Sequence, residues 1–450
     1  MNRALAEAIV GCLSFSGQAE GDIGALKRGS EHEWEHVLSW LYDAGLALYL
    51  LQKLQDINAT DVLPKPTLTR LEDNLTANRR RVAHMARQFD FLNQKFNDAG
   101  VRYAAVKGFS LVPQFCPDAS LRHQGDFDYL IDNQSLPVAR RVLEDAGYAL
   151  DKHKTNELIF LMPSVGVPLP ADEQFEAHAP HAVELRRAFW DSDFHSVLLV
   201  EPKFSVDNTR THRWQELVFR TLPEEDAFLL QVMHAFNHIL TGWIRMCWLY
   251  EIGYFLNQRS RDTLLWERIE RRIGADPLLH EIVVVVTGLA AHFFKASLPP
   301  TSSRWEQELR PAIRIWIQNY AWAWVCAKNR VDQLGLFSAA KLVLLLHQQY
   351  LPDMRARRRL IRIRLLPWEQ FRRRTHSITT KSSTNSGGRG QRLKRMFIRF
   401  VFHLTGGLRY LWEIPRWRRL KKATAHLALS TTGGSTAKDP VNAQSSGSTI

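Results

Sequence analysis

The stretch VKGFSLVPQFCPDASLRHQGDFDYLID, Val106 to Asp132, decides how the rest of the chain is read. It ends in DFDYLI, whose short apolar alternation predicts a β-strand carrying Asp126 and Asp128. Alternate side chains of a strand share a face, so the two carboxylates project together while Phe127 and Tyr129 point into a core. Two carboxylates that close repel, and one keeps its proton unless a cation lies between them. The D-x-D spacing alone suits an exposed strand face or a turn edge equally well. A divalent ion reconciles the charge with burial, and Mg²⁺ favours a few carboxylates together with substrate phosphates. Glu184, inside the strand-like AVELRR (182–187), is the candidate third carboxylate for a two-metal site. Gly108, eighteen residues before Asp126, follows another strand-like run. Amide N–H groups at a helix start there are suited to phosphate, with the Ser110 hydroxyl beside them.

Working outward, VRYAAV (101–106) reads as a strand closed by Lys107-Gly108, and Phe109–Phe115 as a brief helix against which Pro113 counts. A helix over Pro137–Ala146 closed by Gly147 and a strand at ELIFLM (157–162) complete a small α/β unit. Before it, residues 1–100 carry helical periods, among them Trp34, Val37, Leu38 and Leu41, and the span Leu68–Gly100 reads as one or two helices. After Pro223 the pattern is helical to about Tyr350.

These parts resemble the nucleotidyltransferase fold of the polymerase-beta type, and more closely the bacterial "uncharacterised nucleotidyltransferase" family. The motifs that carry the resemblance are Val106-Lys107-Gly108, Pro117, Arg122 and Gly125-Asp126-Phe127-Asp128-Tyr129-Leu130-Ile131. Glu184-Leu185-Arg186 stands for an acidic-Leu-His element, with Arg in place of His. His234, His238, Arg245, Trp248 and Glu251 stand for a helical element with two histidines. The resemblance spans roughly residues 75–350, and Phe109 stands where other nucleotidyltransferases place a phosphate-contacting Ser. It implies Mg²⁺-dependent chemistry on an NTP. Asp126 and Asp128 would hold one ion, Glu184 with Asp126 a second, and Lys107 or Arg122 would offset phosphate charge. An acceptor hydroxyl would attack the α-phosphorus and release pyrophosphate.

His234, His238 and Arg245 fall within about 40° on a helical wheel at ~100° per residue. HAFNH lacks the metalloprotease Glu, so the choice lies between helix-packing histidines and a polar stripe contacting nucleotide or acceptor. The four cysteines, Cys12, Cys116, Cys247 and Cys326, form no CxxC pattern and suggest a reducing compartment. The N-terminus is not read as a signal peptide. The apolar runs Ile282–Phe294 and Leu342–Leu346 are short of the ~20 residues of a membrane span and read as buried helices.

The net charge of +13 is uneven. Residues 351–422 hold 21 Lys and Arg against three acidic residues, leaving 38 basic and 43 acidic elsewhere. This basic, apolar-interleaved region predicts an anionic membrane surface or another anionic partner, and no sequence-specific nucleic-acid motif is recognised in it.

The expected fold is α+β: a small mixed β-sheet nucleotidyltransferase-like unit (101–205) flanked by N-terminal helices (1–100) and a helical C-terminal domain (206–350). A basic amphipathic region (351–422) with a polar linker (376–391) and a disordered tail (423–450) follow. The expected function is Mg²⁺-dependent nucleotidyl transfer from an NTP to an unidentified acceptor hydroxyl, in the cytoplasm or peripheral to the inner membrane. Its rivals are a non-catalytic binding protein of the same fold, serving polysaccharide or peptide modification, and a basic nucleic-acid-binding protein.

Overall fold

The computed structural model describes residues 3–17, 20–154, 156–162, 181–190, 202–242, 244–274, 276–300, 309–326, 339–365 and 389–432, with isolated positions 175, 197, 199 and 302. Among them the chain forms fifteen α-helices and one seven-stranded mixed sheet, an α+β architecture with a helical C-terminal part.

Five helices precede the sheet: α1 (Arg3–Cys12), α2 (Glu20–Lys27), α3 (Glu31–Ala44), α4 (Ala47–Asp56) and α5 (Lys65–Asp98). The period seen at Trp34, Val37, Leu38 and Leu41 is the buried stripe of α3. A capping box starts that helix, Ser30 and Glu33 each satisfying the other's backbone N–H. Gly45 ends it at a φ of +71°, in the left-handed region that favours glycine. The span expected to hold one or two helices is a single helix of 34 residues, α5.

The strands are β1 (Tyr103–Val106), β2 (Asp126–Ile131), β3 (Ala149–Lys154), β4 (Glu157–Leu161), β5 (Ala182–Arg186), β6 (Arg210–Trp214) and β7 (Leu217–Thr221), with α6 (Leu136–Asp145) between β2 and β3. Their spatial order is β3-β4-β5-β2-β1-β7-β6. The two aspartates therefore sit on the central strand, paired antiparallel to β1 and parallel to β5. The sheet does not stop at residue 205, because β6 and β7 come from the stretch expected to be helical, and β7 pairs parallel with β1. The helix expected over Phe109–Phe115 is only a four-residue 3-10 turn, Gly108–Leu111, as Pro113 leads one to expect.

One face of the sheet is covered by α5. Phe89 lies 5.4 Å from Phe127, 5.9 Å from Tyr129 and 5.0 Å from Phe219, ring centre to ring centre. The odd residues of β2 thus supply the core, which leaves Asp126 and Asp128 on the other face. There α7 (Glu224–Thr241) packs, its Leu230 joining Ala104, Val106, Leu130 and Leu222 in a small apolar cluster.

The chain continues through α8 (Met246–Arg259), α9 (Thr263–Ile273), α10 (Pro277–Phe294), α11 (Pro311–Asn319), α12 (Ala321–Val325), α13 (Val343–His347), α14 (Met354–Leu365) and α15 (Arg389–Thr432). Helix α10 is long and apolar enough by length and composition to cross a membrane. Most of that helix is nonetheless packed in the interior, as is α13. The four cysteines are free thiols. Helix α15 begins inside the stretch read as a polar linker and runs into the stretch read as an unfolded tail. Positions 366–388 and 433–450 lie outside the described residues.

Candidate active site

Parallel pairing of β2 with β5 sets Asp128 directly beside Glu184. Asp126, Asp128 and Glu184 each offer a carboxylate oxygen, and these oxygens lie within 4.8 Å of one another. Asp128 is buried and the other two half-buried, at the mouth of the same sheet face. The third carboxylate chosen from sequence therefore converges with the first two.

Two cations already lie on this cluster. Lys107, leaving β1 at the level of Asp128, places its Nζ 2.7 Å from Asp128 Oδ1. Arg186 donates from Nε to Asp128 Oδ1 at 3.2 Å and to Glu184 Oε2 at 3.1 Å, and it also pairs with Glu157. Glu157 is held in turn by Lys154. Charges thus alternate in sign from Lys107 across β2, β5 and β4 to Lys154 at the end of β3.

These neighbours separate the three carboxyl groups. Burial, then the charge of Asp128, pushes Glu184 up to about 8. Asp126 is raised for the same two reasons. Burial also works to raise Asp128, but Lys107 and Arg186 hold it below its ordinary value. In the metal-free protein Asp128 carries the charge and Glu184 readily takes a proton, as expected of like charges packed together. An all-carboxylate donor set without His or Cys suits a hard, oxygen-preferring ion of the Mg²⁺ or Mn²⁺ kind.

The Lys107-Gly108 corner is tightly determined. Lys107 has a φ of +57° and Gly108 one of +48°. A Cβ on Gly108 would stand 2.4 Å from Gln124 Nε2, itself donating to the Asp126 carbonyl at 3.0 Å. Only glycine combines that backbone conformation with that approach. Ser110, buried, turns its hydroxyl back onto the Lys107 carbonyl at 2.8 Å, so its proton is spent on holding the corner. Phe109 points away from the carboxylates and stacks on Trp214 at 4.9 Å. A residue that follows Gly108 here belongs to the core.

Arg122 is half-buried and pairs through Nε with Glu251 Oε1 of α8 at 3.0 Å, and Tyr49 donates to the same oxygen at 2.9 Å. Glu251 raises the guanidinium's affinity for its proton against the effect of burial. The charge of Arg122 is still felt at Asp126 and at His234.

His234 lies one helical turn beyond Leu230 on α7, and His238 one turn further. Because Leu230 packs on the carboxylate side of the sheet, the histidine stripe lies over that side. Burial first, then Lys107, drives the His234 imidazole well below its ordinary value, with Arg186 and Arg122 adding to the effect. His234 and His238 lie 4.6 Å apart, and each meets Trp248, at 4.7 and 4.5 Å. Arg245, at the start of α8, reaches His123 at 3.4 Å, three residues before Asp126.

Several supports have no sequence signature. Asn78 and Arg81 of α5 bind the loop that enters β2. Asn78 donates to the Ser120 and Arg122 carbonyls at 2.7 and 3.0 Å, and Arg81 to the Gln124 carbonyl at 3.0 Å. In the sequence Glu157 stands out only as part of a strand. The signal available for it was a carboxylate at the start of an apolar strand next to Lys154.

A model of the family described as "Uncharacterised nucleotidyltransferase" matches residues 30–295, from the Ser30 cap of α3 to the end of α10. No curated protein and no solved structure matches the chain. The matched region takes in more of the N-terminal helices than the motifs alone span and ends earlier. It contains every residue of the carboxylate cluster, the Lys107-Gly108 corner and the histidine stripe. The chain belongs to the uncharacterised nucleotidyltransferase family.

Proposed function

We propose that this protein transfers a nucleotidyl group from an NTP to an acceptor hydroxyl, with a divalent ion, Mg²⁺ in the first instance, held by Asp126, Asp128 and Glu184. The observation that carries this reading is the convergence of those three carboxylates on one sheet face, from two adjacent strands. A bound divalent ion would neutralise phosphate charge and lower the pKa of the acceptor hydroxyl. Lys107 stands beside the cluster to take phosphate charge once an ion shares Asp128. Arg122, fixed by Glu251, adds positive potential without moving. The His234–His238–Trp248 wall offers flat rings against which a base or an acceptor can lie, and it screens that side of the sheet from water. Arg245 stands at the edge of that wall.

A second reading rests on Arg186, which stands where the family motif carries His and already bonds Asp128 and Glu184. In that reading the protein binds nucleotide and does not turn it over. One experiment separates the two. The full-length protein is incubated with each labelled NTP, Mg²⁺ and cell-extract fractions, beside the Asp126→Asn/Asp128→Asn variant. The catalytic reading expects label transferred by the wild type and a loss of about 10³-fold in the variant, near 4 kcal/mol of transition-state stabilisation. Equal labelling by both rejects it. Nucleotide binding by the wild type with no transfer in any fraction favours the binding reading.

A further inference from the structure

Among the described residues helix α15 has two apolar sides, one packed into the fold and one exposed. On the inner side Tyr410, Glu413 and Trp417 are buried. Gln348 donates to the Tyr410 hydroxyl at 2.7 Å, Trp417 lies 5.8 Å from Tyr320, and Arg409 pairs with Glu413 at 3.0 Å. On the outer side Phe397, Phe400, Leu404, Leu408, Leu411 and Trp412 are all exposed, from 48% at Leu404 to 79% at Trp412. The first five recur at intervals of three and four residues, which places them in one row along the helix. A row of that length has no counterpart elsewhere among the described residues.

Cations continue the row. Arg418, Arg419 and Lys422 follow it, exposed, on the next turns of the same helix. The adjoining helix α14 meets α15 where Leu365 lies against Gly407. On α14, Arg355, Arg358, Arg359 and Arg362 are exposed at positions i, i+3, i+4 and i+7, a second row, and Ile363 and Met354 are exposed beside it. No acidic residue interrupts either row.

We infer that α14 and α15 dock the protein on an anionic lipid bilayer, the α15 row entering the boundary between headgroups and acyl chains while the arginines meet lipid phosphates. An apolar row flanked by unopposed cations is the pattern of a helix lying in a membrane interface. Nucleic acid would use the arginines but would leave Leu404, Leu408 and Leu411 without a partner, since aliphatic side chains offer bases no stacking surface. A second copy of the chain would cover the apolar row only by bringing like-charged residues together. This inference does not depend on the proposed catalysis.

The test uses the full-length protein, freed of nucleic acid, in flotation with phosphatidylcholine vesicles and with mixed phosphatidylcholine–phosphatidylglycerol vesicles. Flotation is expected with the mixed vesicles only. Leu408→Glu/Trp412→Glu is expected to lose it about tenfold or more, because two charges then enter the apolar row. Arg358→Glu/Arg362→Glu is expected to lose it similarly and to remove its sensitivity to salt. Both variants change exposed side chains, and an unchanged melting transition verifies that each is folded. Absence of flotation with mixed vesicles overturns the inference, as does flotation that neither variant weakens. Tight binding to an RNA or DNA duplex that the arginine variant weakens and the apolar variant leaves intact, without flotation, assigns the surface to nucleic acid. Dissociation of a dimer by the apolar variant, without flotation, assigns it to self-association.

Discussion

The protein treats charge in opposite ways in its sheet and in its C-terminal helices. In the sheet, Lys107, Arg186 and Lys154 each lie on a carboxylate, so that Asp128, Glu184 and Glu157 each have a cation beside them within the fold. In α14 the outward arginines face solvent, and in α15 exposed rings and aliphatic chains stand beside exposed cations. Paired, buried charges serve geometry: they fix which groups ionise and where they point. Exposed charges with no acid beside them among the described residues do little for the fold and are free to meet something outside it. The +13 of the whole chain therefore describes neither region. The site depends on local balance and the C-terminal surface on local imbalance.

The largest effect is expected from removing the half-buried cation that pairs with the acids of the site. Arg186→Met leaves Asp128, Glu184 and Glu157 facing one another, and it should destabilise the metal-free protein by about 3–5 kcal/mol. Denaturant melts with and without Mg²⁺ check this, and the ion should recover part of the loss by taking the guanidinium's place. A loss under about 1 kcal/mol would show that the pairing is incidental.

Next comes the corner that aims Lys107. Gly108→Ala must hold a positive φ with its Cβ against Gln124, a strain of about 1–3 kcal/mol. It should lower transfer activity more than its stability loss explains, because Lys107 and the Asp126 carbonyl both move. Activity and melting temperature measured together decide the matter.

The effect of pH is smaller. Glu184 is raised, so between its ordinary value of 4.5 and about 8 the folded protein holds a proton that the unfolded chain has released. Stability contributed by that proton is present below pH 4.5 and is lost as the pH climbs toward 8. The metal-free wild type should therefore lose stability relative to Glu184→Gln across that window, and saturating Mg²⁺ should flatten the difference. Asp128 is lowered and contributes the opposite slope, confined to more acid solution. A metal-free difference that stays level from pH 5 to 8 would contradict the assignment. The smallest effect belongs to the other region: Arg358→Gln should change stability by no more than about 0.5 kcal/mol while weakening attachment to anionic vesicles.

Much of this was legible in the residues, and the exceptions have physical reasons. Strands β1, β2, β4 and β5 announce themselves because apolar residues alternate or run together in them. Glu184 was legible as a carboxylate inside such a run. Strand β3, ALDKHK, is an edge strand mostly exposed to solvent, so no burial pattern marks it. Strand β7 does alternate, with Leu217, Phe219 and Thr221 buried, but in LVFRT the alternation is too short to outweigh the helical pattern that follows. Phe109 and Ser110 follow Gly108 in a sequence that suits phosphate binding, yet the ring belongs to the core and the hydroxyl to the turn. Which way a residue points after a positive-φ corner is decided by tertiary packing. The same holds for Arg81 and Asn78, whose partners lie about 40 residues away along the chain.

The cations that rest on the carboxylates carry one further consequence. A cluster of naked acids would draw in any divalent ion simply to relieve its own repulsion, and would grip it. Here Lys107 and Arg186 have already relieved much of it, so an arriving ion trades places with contacts that exist and gains only the difference. On the proposed reading such a site would release its ion readily. The ion would be held firmly only when it came with something that occupies the displaced ammonium and guanidinium, and the phosphates of a nucleotide have the charge to do that.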